Sequence, residues 1–399
     1  MKLYYEGENF KLYNGNMLDV LEVVEPASIG AVITDPPYEL NFMNKGWDNS
    51  GIAFQADTWR KCFDVLKPGG YLLAFGGSRT FHRIAVAIED AGFEIRDVIM
   101  WLYGTGFPKP MNLGKGIEAK LTTGSANTQE FKNLNGLKAA SGDWGISKNS
   151  HEYGARPSDY SADKHLYTVN VDYTTEEGRR WDGWGTALKP SYEPIIVARK
   201  PCEGSCTDNV LKYGVGGLNI DDCRIGDEVV KTRAKDGTAS FGMNIGGSGF
   251  SGCEETSHEG RFPANTIFSY KSDNDEIRRY FYCAKATTED RNEGLDTFCN
   301  HPTVKPTELM RYLIRLVTPE GETILDTFNG SGSTGKAAML ENVKNNKNYK
   351  YIGIELTEEY LPLAKARIEY VLNRPEIEEI EYDDGSRQMN IFDFISKEE

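Results

Sequence analysis

An α/β fold with a parallel sheet, divided by a long insert, is what this sequence predicts, and three observations predict it. Short apolar runs alternate with helix-like segments over the first hundred residues. The same alternation resumes after about residue 300. Between the two lies a stretch poor in aliphatic residues and rich in Ser, Asn, Gly and Thr, unlike either strand or helix.

Residues 29–34, IGAVIT, read as a short buried strand that stops at a Pro-Pro turn. A helix-like segment at 53–66 leads through the turn KPGG to a second strand, YLLAFG at 71–76. Apolar residues at helical spacing over 80–91 precede Gly92 and a strand-like stretch at 93–101. From about 105 to 185 the composition is that of a long loop region. A strand-like EPIIVARKP (193–201) follows, then a glycine-rich irregular region to about 260. After 300 come a helix over Pro306–Val317, the strand TILDTF, a glycine loop, a helix, the strand YIGIEL and a last helix at 357–372. The expected division is therefore 1–104 and 301–372 as two halves of one domain, 105–300 as an insert, and 373–399 as an acidic tail. No repeat or heptad pattern intervenes.

No run reaches the roughly 18 apolar residues that a membrane span needs. The N-terminus lacks the basic and apolar regions of a secretory signal, so a cytoplasmic location and no membrane partner are expected. Seven cysteines, an odd number, point to reduced thiols. Cys202 and Cys206 are close in sequence, but Cys223 and Cys253 stand alone, which is not the two-pair spacing of a zinc site, and no metal is expected. The net charge of −15 counts against nucleic acid as a partner until its distribution is considered. Acids dominate the tail, which leaves room for a basic face elsewhere.

Thr34-Asp35-Pro36-Pro37-Tyr38 stands where a strand stops, and open α/β sheets bind ligands at the carboxyl ends of their strands. Two prolines fix the backbone and remove donors, so carbonyl acceptors are held beside the Asp35 carboxylate. A pair of acceptors is what an exocyclic amine needs if its lone pair is to be freed for attack on an electrophilic methyl group. Tyr38 offers a π face for an extruded base. A lone Asp-Pro-Pro-Tyr would otherwise read as a turn.

This tetrapeptide resembles the D/N/S-P-P-Y/F/W motif of the DNA amino-methyltransferases, which methylate adenine N6 or cytosine N4. In that family Asp in first place is commoner among the adenine-specific members. The resemblance makes Asp35, Pro36, Pro37 and Tyr38 the catalytic set. It also gives a role to Asn16-Met17-Leu18-Asp19, where Asp19 would contact the cofactor adenine.

Asp326-Thr327-Phe328-Asn329-Gly330-Ser331-Gly332 follows the strand TILD and opens a helix. Its glycines let backbone N–H groups approach a ligand, and a helix N-terminus favours a carboxylate. Glu355 ends the next strand, where an acid can hold ribose hydroxyls. The loop resembles the family's D-P-F-x-G-S-G cofactor motif, with Thr327 where Pro is usual, and His301-Pro302-Thr303-Val304-Lys305-Pro306 resembles its H-P-T-x-K-P segment. The resemblance implies S-adenosylmethionine lying against Asp35, Thr303, Lys305, Asp326, Phe328, Gly330, Ser331, Gly332 and Glu355.

Catalytic motif first, insert second and cofactor loop last resembles the beta arrangement of the family. It implies a Rossmann-like class I methyltransferase sheet with a target-recognition insert. Double-stranded DNA is then the partner, and a homodimer and a cognate restriction endonuclease are further partners such enzymes have. Arg179, Arg180, Trp181, Trp184, Lys189, Arg199 and Lys200 are candidates to hold DNA, with Arg261 and Lys285 weaker ones. Bases outnumber acids in 105–200 and the reverse holds in 201–300, which favours the first half. Pro201-Cys202 is followed by Glu203 and does not resemble the Pro-Cys-Gln loop of cytosine-C5 enzymes. Adenine N6 is the expected target. Cytosine N4, an RNA or protein amide, and a non-catalytic DNA-binding role are the alternatives.

Overall fold

The computed structural model describes residues 1–40, 46–104, 112–125, 173–232, 256–269 and 280–373. The expected acidic tail beyond 373, most of the Ser/Asn-rich stretch, the segment FGMNIGGSGFSG and Cys253 lie outside the described residues.

Up to Gly104 the elements are β1 (Lys2–Glu6), β2 (Phe10–Asn14), α1 (Met17–Val20), β3 (Ile29–Thr34), α2 (Ala56–Val65), β4 (Leu66–Phe75), α3 (Phe81–Asp90) and β5 (Glu94–Leu102). Next come α4 (Leu113–Thr123) and α5 (Glu176–Arg180). They are followed by β6 (Tyr192–Arg199), α6 (Cys206–Tyr213), β7 (Ile225–Thr232), β8 (Thr256–Arg261), β9 (Thr266–Phe268), β10 (Phe281–Tyr282) and α7 (Thr288–Asn292). The chain then runs through α8 (Thr307–Val317), β11 (Thr323–Asp326), α9 (Ser333–Asn345), β12 (Lys350–Glu355) and α10 (Leu361–Leu372).

Two compact units result. The first holds the described residues of 1–104 and of 192 onward, and the second holds 112–125 and 173–191. In the first, ten strands form one sheet in the order β1-β2-β12-β11-β3-β4-β6-β5-β9-β10. Only β1 and β6 run against their neighbours. The runs IGAVIT and YLLAF are continuously apolar because both faces of these strands are covered. Ala31, Ile33, Leu73 and Phe75 pack on one face with α8, α9 and α10. Val32, Leu72 and Ala74 pack on the other with Trp59 of α2 and Ile84 of α3.

The expected insert of 105–300 is not one body. β6 lies between β4 and β5, with Tyr71 opposite Arg199 and Ile95 opposite Ala198. Ile195, Ile196, Val197 and Ala198 are fully or almost fully buried. Four consecutive apolar residues are the mark of a strand covered on both faces, and β9 extends the same sheet by pairing with β5. The separate segment thus ends near residue 191 rather than 300. In the second unit, Glu118 of α4 accepts from the backbone N–H and hydroxyl groups of Thr174 and Thr175 at the start of α5.

Candidate functional site

From β3 the chain proceeds outward to β4, whereas β11 on its other side leads to β12 and β2, so the crevice beyond the carboxyl ends of β3 and β11 is a topological switch point. Parallel pairing sets Leu325 opposite Val32, which brings Asp326 beside Thr34. The Thr34 hydroxyl donates to Asp326 Oδ1 at 2.7 Å, and that of Thr334 in the first turn of α9 donates to Oδ2 at 2.6 Å. The Phe328 N–H adds a third bond at 3.1 Å. Burial nevertheless outweighs these bonds and lifts the Asp326 carboxyl to about 6.

That displacement has a sign that can be tested. Between about pH 4 and pH 6 the native state holds a proton on Asp326 that the unfolded chain has released, so stability falls as pH rises through this window. Two pH units correspond to roughly 3 kcal/mol. Asp326→Asn should therefore flatten the loss of stability between about pH 4 and pH 6 in urea unfolding of the ligand-free protein, while weakening cofactor binding. An unchanged slope would show that the carboxyl is not displaced.

Next to β11, β12 pairs Glu355 with Asn14 of β2, which carries the N-terminal segment to the same crevice. Glu355 Oε2 accepts the Gly330 N–H at 2.7 Å and Oε1 accepts that of Thr357 at 2.8 Å. Burial pushes this carboxyl above its usual range despite both bonds. Gly330 has φ +49°, and a Cβ there would lie 2.8 Å from His301 Nε2. Only glycine fits without cost. Gly330→Ala should lower cofactor affinity about tenfold in calorimetric titration, since left-handed strain alone costs about 1–2 kcal/mol.

These residues line one cleft with about 1110 Å3 of empty space, its mouth included. Of the expected residues, Asp35, Pro37, Thr303, Lys305, Asp326, Phe328, Gly330, Ser331 and Glu355 form its wall. Pro36 and Tyr38 do not reach the wall. Gly332, at φ +73°, serves instead as the turn that starts α9.

Asp19 is a correction. It is exposed and off the wall, and Asn16 and Met17 line the cleft in its place. Met17 and Val20 form the buried side of α1, and a residue two positions from Met17 falls on another face.

At the turn after β3, Asp35 Oδ2 lies 2.8 Å from Lys305 Nζ, while Oδ1 is buried with no hydrogen-bond partner among the described residues. Burial raises the Asp35 carboxyl above its ordinary value, partly countered by Lys305. Glu193, at the start of β6, received no role from the sequence, yet it accepts from the Tyr38 hydroxyl at 3.0 Å and lies 3.1 Å from Lys305. Its only signal was an acid directly before Pro194 and the run IIVA. Burial acts to raise Glu193, but Lys305 holds it below the usual carboxylate range. His301 is pushed down to about 3 by burial and by Arg291, Arg367 and Lys305, so it is a neutral imidazole.

Several candidate DNA contacts have structural duties instead. Arg199 is buried and bonds Glu94 at 2.8 Å. Lys200 donates to the carbonyls of Phe63 and Leu66, and Arg261 pairs with Glu228. Lys285 lies 3.5 Å from the centre of the Tyr103 ring. Arg179, Arg180 and Lys189 are exposed, and Trp181 meets Trp184 edge to face at 5.1 Å. The Cys202 and Cys206 sulfurs are 3.7 Å apart. Among the described residues no three metal-ligating side chains converge, and no helix is long and apolar enough to cross a membrane.

Comparison with known proteins agrees with this geometry. The DNA methylase family profile matches residues 29–366. The type II methyltransferase M2.DpnII of Streptococcus pneumoniae is 42% identical over 54% of this chain and 85% of its own length. M2.LlaDCHI of Lactococcus lactis subsp. cremoris is 25% identical over 61% and 95%, and M.HindIII of Haemophilus influenzae 21% over 90% and 94%. Among solved structures, the cytosine-N4-specific PvuII DNA methyltransferase aligns with 94% of this chain and 95% of its own at 16% identity and a TM-score of 0.45. The profile spans both halves of the sheet, from β3 to the last helix, and the chain therefore belongs to the DNA methylase family of N6/N4 methyltransferases, a family whose methyl donor is S-adenosylmethionine.

Proposed function

We propose that this protein is a site-specific methyltransferase that methylates adenine N6 in double-stranded DNA. The observation that carries the reading is Asp35, which lines the cleft with Asp326 and Glu355 and whose Oδ1 is buried with no hydrogen-bond partner among the described residues. A buried acceptor left unpaired costs about 1–3 kcal/mol, so an amine N–H brought to this oxygen would be favoured.

The residues fit the donor. Asp326, Phe328, Gly330, Ser331, Thr303 and Glu355 would hold it, with Gly330 keeping the loop free of side-chain bulk. When bound it supplies an electrophilic methyl group on a sulfonium. The chain does the rest. A base inside a duplex hides its amine, so the target leaves the stack at a cost on the order of a few kcal/mol. Tyr38, half-buried beside the cleft, would offer its ring for stacking, and Asp35 would accept from the amine hydrogens. The nitrogen then attacks directly, with no covalent bond between enzyme and base. Asp35, raised by burial, is a base placed to take the proton that the amine gives up.

Asp in the first position of the motif supports adenine over cytosine. The second unit is the proposed recognition element, since exposed Arg179, Arg180 and Lys189 accompany Trp181 and Trp184 there. Incubation with labelled S-adenosylmethionine and, separately, unmethylated duplex DNA, RNA and protein tests the substrate class. Label should enter duplex DNA alone. Label confined to RNA or protein would overturn the reading.

A further inference from the structure

Lys305 lies in a segment expected to serve the cofactor, but its ammonium is fully engaged elsewhere. It lies 2.8 Å from Asp35 Oδ2, 3.1 Å from Glu193 Oε2 and 3.2 Å from the Tyr38 hydroxyl. An ammonium has three donors, and these three acceptors take them all. The Phe75 ring, with its centre 4.8 Å away, closes another side. The Tyr38 hydroxyl donates a hydrogen bond to Glu193, so Asp35 and Tyr38 from the β3 turn, Glu193 from β6 and Lys305 just before α8 form one network.

We propose that Lys305 and Glu193 are positioning residues for methyl transfer: Lys305 fixes Asp35 Oδ2 and thereby presents Oδ1 to the target amine, and Glu193 holds Lys305 and Tyr38 in that arrangement. This rests on Asp35 being the amine acceptor. A carboxylate rotates easily about its last torsion, and an ion pair on one oxygen removes that freedom before the substrate arrives. Two carboxylates against one ammonium also leave a net negative charge beside the amine. Positive charge develops on that nitrogen as it attacks, so the imbalance favours the transition state.

The charged groups around the network set the direction of a test. Asp35 faces Lys305, Glu193 and Tyr38, with Asp326 across the crevice. Glu193 also faces Lys285 and Tyr103, and Lys305 faces His301. Removing the negative charge of Glu193 makes Asp35 easier to ionise; removing the positive charge of Lys305 makes it harder.

The measurement is the pH profile of kcat for the wild type, Glu193→Gln, Lys305→Met and Lys305→Arg on duplex DNA at saturating S-adenosylmethionine, with cofactor binding titrated on each. Glu193→Gln and Lys305→Met should lower kcat at least tenfold and leave cofactor affinity within about twofold. Their acid limbs should move in opposite directions, to lower pH for Glu193→Gln and to higher pH for Lys305→Met, by about one unit. Lys305→Arg should recover part of the rate. Lost cofactor affinity with kcat intact would return Lys305 to the cofactor site and overturn the proposal. Acid limbs that stay in place or move together would make the network merely structural, and Glu193→Gln gives that answer even where Lys305→Met fails to fold. An Asp35→Ala enzyme as active as the wild type would instead remove the underlying reading of Asp35.

Discussion

Asp35→Ala should lower kcat by about 10²- to 10³-fold, the usual effect of deleting one oriented hydrogen-bonding group at a reacting centre. Affinity for S-adenosylmethionine should stay within a few fold, because the Asp326 and Glu355 contacts are made by other strands. The variant should fold. Lys305 keeps Glu193 and Tyr38 as partners, so no buried charge is stranded. Steady-state methylation with a parallel binding titration checks this, and a fall in cofactor affinity as large as the fall in kcat would place Asp35 in cofactor binding instead.

The largest expected effect on stability lies beneath the glycine loop. Lys336, 1% exposed, donates to Asp290 at 2.7 Å and Glu293 at 2.6 Å. Arg367, fully buried, bonds the carbonyls of Ser331 at 2.8 Å and Asp290 at 3.0 Å. Asp290 in turn accepts from the Thr307 backbone at 2.9 Å, and Lys336 with Arg367 holds this carboxyl below its ordinary value even though burial alone would raise it. These charges tie α7, α8, α9 and α10 to the loop at Ser331. Lys336→Met keeps the volume but leaves two carboxylates against one guanidinium, and breaking a buried pair in this way costs about 3–5 kcal/mol. Urea unfolding should give a loss of that size, and a loss under about 1 kcal/mol would mean that the acids protonate or reach water.

Much of this was legible in the sequence because the physics involved is local. The apolar run of β3, its abrupt end at Pro36 and the glycines from 330 to 332 each follow from short-range rules, and Asp35 and the Asp326–Ser331 loop that they mark line one cleft. What the sequence hid was pairing. Nothing local reveals that β6, far along the chain, runs antiparallel between β4 and β5, so Glu193 could not be placed beside Tyr38. Charge composition misled in the same way: Arg199 and Lys200 counted as bases near a recognition segment, but Glu94 and two carbonyls consume them. Asp19 failed for a finer reason, since a shift of two or three residues around one helical turn decides which side chain meets the cleft.

The central claim is that Asp35 receives the amine of adenine. The most direct measurement is to digest duplex DNA methylated by the wild-type protein to nucleosides and identify the one that carries the label from S-adenosylmethionine. The account predicts N6-methyladenine, abolished to background by Asp35→Ala. Label in N4-methylcytosine would contradict the choice of base, and N6-methyladenine formed equally well by Asp35→Ala would contradict the role of Asp35.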